Sequence, residues 1–279
     1  MSSVTLDRPT ITDLSAPASR DAGSAITWWI NDTWELVKRN LRHVRRTPEL
    51  LLDVTVQPIM FVLLFRYVFG GAIPIAGTSY VNYLMAGIFV QTVAFSMLAT
   101  GILLAHDLQK GLIDRFRSLP MSGSAVLSAR TLTDLLRASL AIVIMILVGL
   151  VAGFRPSGSI VQWAGAIGVM LLFGFALAWV GVTMGMAVRT PEAAQGAMFI
   201  AVLPLTFASS AFVPTDTMPG VLRAFTEHQP ITLVINTVRA WMLGRPAGGD
   251  AWAALFWSLG ILVVFFPLAL IMYRKRTTD

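Results

Sequence analysis

Long, continuous apolar runs recur from position 49 to the end of the chain, separated by short polar stretches. Each is close to the ~20 residues that carry a helix across a hydrocarbon layer of about 30 Å. In lipid only helices and closed barrels satisfy their own backbone polar groups, and barrel strands would alternate in polarity. The pattern therefore predicts an all-α polytopic membrane protein with six transmembrane helices. The expected spans are Glu49–Gly70, Tyr80–Ala105, Ala125–Phe154, Ile160–Val188, Ala193–Phe212 and Asp250–Tyr273. Residues 1–24 are polar, rich in Ser, Thr and Pro, and without the apolar core of a signal peptide, so they predict a disordered tail. Within 25–48, Ile26, Ile30, Trp34, Val37, Leu41 and Val44 keep helical spacing, while Lys38, Arg39, Arg42, Arg45 and Arg46 gather on and after the other face. That segment predicts an N-terminal amphipathic helix lying in the membrane interface, followed by a six-span domain over 49–279.

Charge sets the orientation. Of the 21 Lys and Arg, only Arg66, Arg155, Arg223, Arg239 and Arg245 fall on one side of the expected spans. The excess on the other side predicts that both termini are cytoplasmic, and it accounts for the net charge of +6 without any nucleic acid. The third span opens with Arg130, Asp134 and Arg137, spaced along one helical face. The nine Leu, Ile and Val from Leu140 to Val151 favour insertion by roughly 3–5 kcal/mol, whereas one mid-membrane Arg costs about 2.5–3.5 kcal/mol. The charged turns are therefore expected to extend into the cytosol.

Two polar segments interrupt the apolar pattern. The first, 107–122, reads DLQKGLIDRFRSLPMS. As a helix it aligns Leu108, Leu112, Phe116 and Leu119 in an apolar seam flanked by Lys110, Asp114, Arg115 and Arg117. Pro120 and Gly123 stop it. Such a rod suits docking into a partner's groove, and a loop whose apolar residues touch the bilayer fits the pattern equally. The second, 213–249, is broken by Pro214, Pro219 and Pro230 and then shows helical spacing at Val234, Val238, Trp241 and Met242. It is too apolar for a free loop and too interrupted for a span, which predicts re-entrant helices between the fifth and sixth spans, at the outer face. Glu227 and His228 there admit a proton-relay role, or a capping or surface role.

Composition narrows the chemistry. The mean hydropathy is +0.71, only 13% of residues are charged, and there is no Cys. Disulfides, thiolate metal sites and Cys nucleophiles are thereby excluded. The His and acidic residues show neither metal-ligand nor triad spacing, so no catalytic, cofactor-binding or metal residue is expected. No G-x-x-x-x-G-K-[ST] loop occurs, and no cytosolic stretch is long enough to fold an ATPase domain. The chain is thus not expected to be an enzyme by itself. Polar residues inside spans serve either as interhelical contacts or as a path for solute. Gln57, Gln91 and Thr206 with Phe61, Phe89, Phe95 and Phe207 would suit an amphipathic apolar molecule. The Gly and Ala of Gly165–Gly185 instead predict close helix packing.

DLQKGLIDRFRSLPMSGSAVLSAR resembles the coupling segment of type-2 ABC exporter permeases, in particular the daunorubicin/doxorubicin-resistance branch. AFVPTDTMPGVLRAFTEHQPITLVINTVRAWMLG, from Ala211 to Gly244, is similar to that family's stretch between the fifth and sixth spans. The resemblance implies a permease in the bacterial cell membrane that works as a homodimer, driven by an ABC ATPase subunit on a separate polypeptide. ATP and Mg would bind that partner and no cofactor this chain. Leu108, Lys110, Gly111, Asp114, Arg115, Phe116 and Arg117 would seat in the ATPase, and Pro214, Pro219, Glu227, His228 and Pro230 would belong to an outer gate. The implied activity is export of hydrophobic drugs, antibiotics or lipid-like compounds. Gly123 departs from the family, which more often has a basic residue there. Rival readings are an exporter of surface polysaccharide or glycolipid, an ion-driven transporter and a non-transporting membrane scaffold. Sugar channels would be expected to line up exposed aromatics, whereas the Trp residues here gather at expected interfaces, and only Asp53 approaches the intramembrane carboxylate an ion-driven carrier needs.

Overall fold

The computed structural model describes residues 59–69, 77–110, 123–188 and 190–278, with positions 38, 56 and 75 besides. The expected tail over 1–24, the amphipathic segment 25–48 apart from an exposed, helical Lys38, and Gln57 lie outside the described residues. So do Gly111, Asp114, Arg115, Phe116 and Arg117. Among the described residues the structure is all-helical. Helix α1 spans Ile59–Val68, running into a π-helical turn at Phe65–Phe69. Then follow α2 (Tyr80–Gln109), α3 (Gly123–Val151), α4 (Ile160–Ala187) and α5 (Pro191–Phe207). A 3-10 turn at Thr215–Thr217 leads into α6 (Gly220–His228), α7 (Pro230–Met242) and α8 (Gly249–Thr278).

Four stretches among the described residues are long and apolar enough to cross a membrane: Tyr80–Gln109, Thr131–Val151, Ile160–Ala187 and Gly249–Tyr273. They correspond to the second, third, fourth and sixth expected spans. The fifth differs. Helix α5 has 17 residues, about 26 Å at 1.5 Å per residue, and Ala208–Val213 is non-helical. Pro204 inside α5 removes one backbone donor. Beyond it the hydroxyl of Ser209 donates to the carbonyl of Thr206 at 2.5 Å and accepts from the Ala211 N–H at 3.2 Å, so side chain and backbone leave the helical ladder together.

Helix α2 is the centre of the bundle, and most of its apolar length is buried among its neighbours. Ser79 caps its start by accepting from the Asn82 N–H at 3.3 Å. Its most extensive partner is α4, which opens with a capping box of Ser159 and Gln162. The two cross at glycines: a Cβ on Gly101 would lie 1.9 Å from the Gly181 carbonyl oxygen, and one on Gly185 2.3 Å from that of Gly101. This is the close packing expected from the small residues of Gly165–Gly185, and it holds two backbones together where lipid supplies no hydrophobic drive. Away from that crossing, Phe89, Phe154, Phe173 and Met170 belong to the main core. Helix α8 packs on α4 and α7 along one side, with Trp179 edge-on to Phe266 at 4.6 Å, and leaves Trp252, Phe256, Val263 and Val264 exposed along the other.

The charged opening of the third span is packed against its neighbours. Asp134 and Arg137 do not stand in solvent. Asp134 is buried against α2, where Thr100 donates its hydroxyl to Asp134 Oδ2 at 2.7 Å, and Arg137 stands partly buried beside it. Burial is tolerated because the carboxylate gains this hydrogen bond and a cation 3.5 Å away.

Candidate functional site

Three regions gather the chemistry-bearing residues, and α2 runs through all of them. At one end is the polar segment. Asp107–Gln109 continue α2 rather than starting a separate rod, Leu108 is half-buried, and Lys110 is the exposed C-cap. The chain resumes at Gly123 as α3. The segment 111–122 therefore joins the ends of two long helices.

In the middle, α1, α2, α3 and α5 border an open cavity of about 310 Å³. Phe61 of α1, Gln91, Thr92, Phe95, Ser96 and Ile102 of α2, Arg137 of α3, and Gln195, Met198, Phe199 and Val202 of α5 contribute to its wall. Of the residues expected along a solute path, Phe61, Gln91 and Phe95 are brought together here. Phe89 is not: it is fully buried on the other side of α2, 6.1 Å from the ring of Phe154. Thr206 is buried and donates to the Val202 carbonyl at 2.8 Å, an internal helical bond. Phe207 is half-exposed and belongs to an aromatic series. Phe61 stacks on Phe65 at 6.0 Å, Phe65 on Phe212 at 4.4 Å, and Phe207 lies 5.4 Å from Phe212. The series leads from the cavity wall to the turn after α5.

At the far end, that turn is clamped by Arg239, which the charge pattern of the sequence marks only as one of the five cations on its side of the spans. The guanidinium of Arg239, on α7, lies 3.7 Å over the ring of Tyr83. Its Nε donates to the Tyr83 carbonyl at 3.1 Å, Nη1 to Asn236 Oδ1 at 3.0 Å, and Nη2 to the Ser210 carbonyl at 2.5 Å. Tyr83 donates its hydroxyl to the same Ser210 carbonyl at 2.9 Å, and Tyr80 donates to the Phe212 carbonyl at 3.3 Å. Gln229 Nε2 donates to the carbonyls of Leu205 and Ala208, which the end of α5 leaves open. The signal available in the sequence was an Arg in an otherwise apolar helical pattern, a position that needs buried partners.

The other residues assigned to this end take structural places. Pro214 and Pro219 precede the 3-10 turn and α6, and Pro230 is the first residue of α7, where a missing N–H removes no helical bond. Glu227 accepts from Arg223 Nε at 2.7 Å and from the Thr215 hydroxyl at 3.4 Å. The Arg223 hydrogen bond in first place holds its carboxyl below the usual range. His228 Nδ1 is 2.8 Å from the Ala224 carbonyl, one helical turn back. Among the described residues no group of His, Cys, Asp or Glu is placed to hold a metal ion.

One long helix thus runs from the polar segment at one end, past an amphipathic cavity, to the clamped far end. Residues 31–243 match the ABC-2 type transporter family. The chain belongs to that family. It is 32% identical over 265 residues to the daunorubicin resistance ABC transporter permease protein DrrB1 of Streptomyces coeruleorubidus, covering 95% of this chain and 92% of that protein. A probable doxorubicin resistance ABC transporter permease protein, DrrC of Mycobacterium tuberculosis, is 28% identical over 236 residues, with 82% and 83% covered. The putative transport permease ycf38 of Cyanophora paradoxa is 24% identical over 279 residues, with 92% and 93% covered. The chain is thus an ABC-2 type permease and a multi-pass membrane protein.

Proposed function

We propose that this permease exports hydrophobic drugs, antibiotics or lipid-like compounds, powered by ATP hydrolysis on a separate ABC ATPase subunit. The observation that carries the reading is the continuity of α2. Its 30 residues form one helix, about 45 Å long at 1.5 Å per residue, from Tyr80 and Tyr83 at the clamp, past Gln91 and Phe95 in the cavity, to Leu108 and Lys110. Segment 111–122 connects it to α3, which carries Arg137 into the same cavity. A partner that moves this segment moves two walls of the cavity at once, because helices transmit displacement along their axes far more readily than they bend.

In this reading six helices span the membrane, the amphipathic N-terminal segment lies in the interface, and 213–249 forms a re-entrant unit under the outer face. Both termini are cytoplasmic, the membrane is the bacterial cell membrane, and two copies form the channel. Leu108, Lys110, Gly111, Asp114, Arg115, Phe116 and Arg117 seat in the ATPase, which holds the ATP and Mg, while this chain has no ATPase site. Phe61, Gln91 and Phe95 line the solute path, and the turn after α5 with Pro214, Pro219 and Pro230 is the outer gate. The similarity to proteins named for daunorubicin and doxorubicin resistance supports the drug-export reading.

Asp114→Ala and Phe116→Ala, each reconstituted with the ATPase partner, test the coupling. Drug-stimulated ATP hydrolysis and efflux are expected to fall together in both variants. Efflux that stayed fully coupled would reject the assignment of 107–122.

A further inference from the structure

We infer that the clamped end of the bundle carries a site for an anionic phospholipid, whose phosphate seats against Arg66 and Arg155. Neither residue lines the cavity, so the site is separate from it. Both guanidinia lie at the turn from α3 to α4. Gly153 in that turn has φ +93°, and a Cβ built on it would lie 2.8 Å from Arg66 Nη1 and 3.2 Å from Nη2. Only glycine leaves room for this approach. Arg155 Nη1 donates to the carbonyls of Leu150 and Phe154, each at 2.9 Å, where a cation suits the open end of a helix. Its backbone N–H donates to Asn82 Oδ1 at 2.9 Å, beside Tyr83 of the Arg239 clamp. Arg66 belongs to the π-helical turn Phe65–Phe69, a type of turn often found at functional sites.

The two cations are held in place but not neutralised. Arg66 Nη1 is packed under the turn and is not offered to a ligand. The residue as a whole is half-buried, and Arg155 is exposed. Neither forms an ion pair among the described residues. The two outer turns they belong to, 66–79 and 151–163, contain no acidic residue. Planar guanidinium forks match pairs of phosphate oxygens. The surroundings decide which phosphate. Exposed aliphatic residues continue inward from both cations, with Met60, Leu64 and Val68 along α1 and Leu147, Leu150 and Val151 along α3. Acyl chains attached to the phosphate would lie on that surface, whereas a free phosphate gains nothing from it. Tyr67, exposed, lies under the Arg66 guanidinium at 5.3 Å, as an aromatic ring does at headgroup level. A zwitterionic headgroup would bring its own cation to a place that already holds two, so the pair favours lipids of net negative charge.

The test is native mass spectrometry of the purified full chain released from nanodiscs containing phosphatidylglycerol and phosphatidylcholine in equal amounts, which reads both the lipids retained and the oligomeric state. The natural sequence is expected to retain phosphatidylglycerol about tenfold over phosphatidylcholine. Arg66→Gln removes no hydrogen bond made among the described residues and should bring the ratio within about threefold. Arg155→Gln should act in the same direction, but it also uncaps α3, so Arg66→Gln decides. Arg223→Gln makes the same change in charge at a residue already tied to Glu227, and it should leave the ratio unaltered. An equal loss in Arg223→Gln would reduce the preference to net charge and overturn the site. Equal retention of the two lipids by the natural sequence would do so too, as would displacement of the bound lipid by inorganic phosphate. A changed oligomeric state in Arg66→Gln with the lipid ratio intact would assign the pair to a contact between copies and equally overturn the inference.

Discussion

Arg239 offers the sharpest test of how the far end of the bundle is held. Its guanidinium satisfies two carbonyls, at Tyr83 and Ser210, and the Asn236 side chain, and it covers the Tyr83 ring. Arg239→Met keeps an unbranched stem out to the ε position and removes every donor. The two carbonyls and the amide oxygen then stay buried while losing a partner, although Ser210 retains the Tyr83 hydroxyl. Hydrogen bonds to charged groups contribute about 1.5–3 kcal/mol each, not additively, and breaking a buried charged network at one member typically costs about 3–5 kcal/mol. Arg239→Lys retains the charge but replaces a planar fork by one ammonium, which cannot reach Tyr83 and Ser210 in the same geometry. Its expected cost is smaller, about 1.5–3 kcal/mol. At about 2–4 °C per kcal/mol for a chain of this order of size, the Met variant should lose about 6–20 °C of apparent melting temperature. The assay is thermal loss of the monodisperse species of the purified protein at fixed detergent and scan rate. A Met variant within about 2 °C of the natural sequence, or a Lys variant less stable than the Met one, would refute the clamp as the bond holding the turn after α5.

Gly101→Ala places a methyl group 1.9 Å from the Gly181 carbonyl oxygen by the geometry of the crossing; α2 and α4 must separate, and overpacking of this kind costs about 1–3 kcal/mol, readable in the same thermal assay. Gly168→Ala, with open space around its Cβ, should be neutral, and equal losses in both variants would rule out the crossing as the reason. Glu227→Gln tests the relay idea. The carboxyl is held below its usual pKa, mainly by the Arg223 hydrogen bond, so its stabilising contribution is present above the unfolded-state value, about 4.3, and disappears as pH falls through the lower folded-state value. Efflux between pH 6 and 8 is therefore expected to keep its pH profile in the variant, and a profile flattened across that window would revive proton transfer through Glu227.

The sequence by itself determined the class of the protein and its chemical boundaries. Continuous apolar runs admit only helices in lipid, so the stretches around α2, α3, α4 and α8 were legible to within a few residues at most ends. The prolines at 214, 219 and 230 marked helix starts, because a missing N–H is harmless there and costly elsewhere. Gly101, Gly181 and Gly185 are different: composition foretold close packing, but only the tertiary structure decided which backbones touch. The same limit explains Phe89 and Phe95. They lie six positions apart on one helix, and only the placement of α5 and α4 assigns one to the cavity and the other to the core. The spacing of Asp134 and Arg137 shows that they share a helix face, but the partner of Asp134, Thr100, lies 34 positions away in sequence and is chosen only by the packing of α3 on α2. Arg239 shows the principle most plainly. Periodicity can place a cation on a helix, but its partners come from α2 and the turn after α5. A buried charge is defined by those partners, and they meet only when the chain is folded.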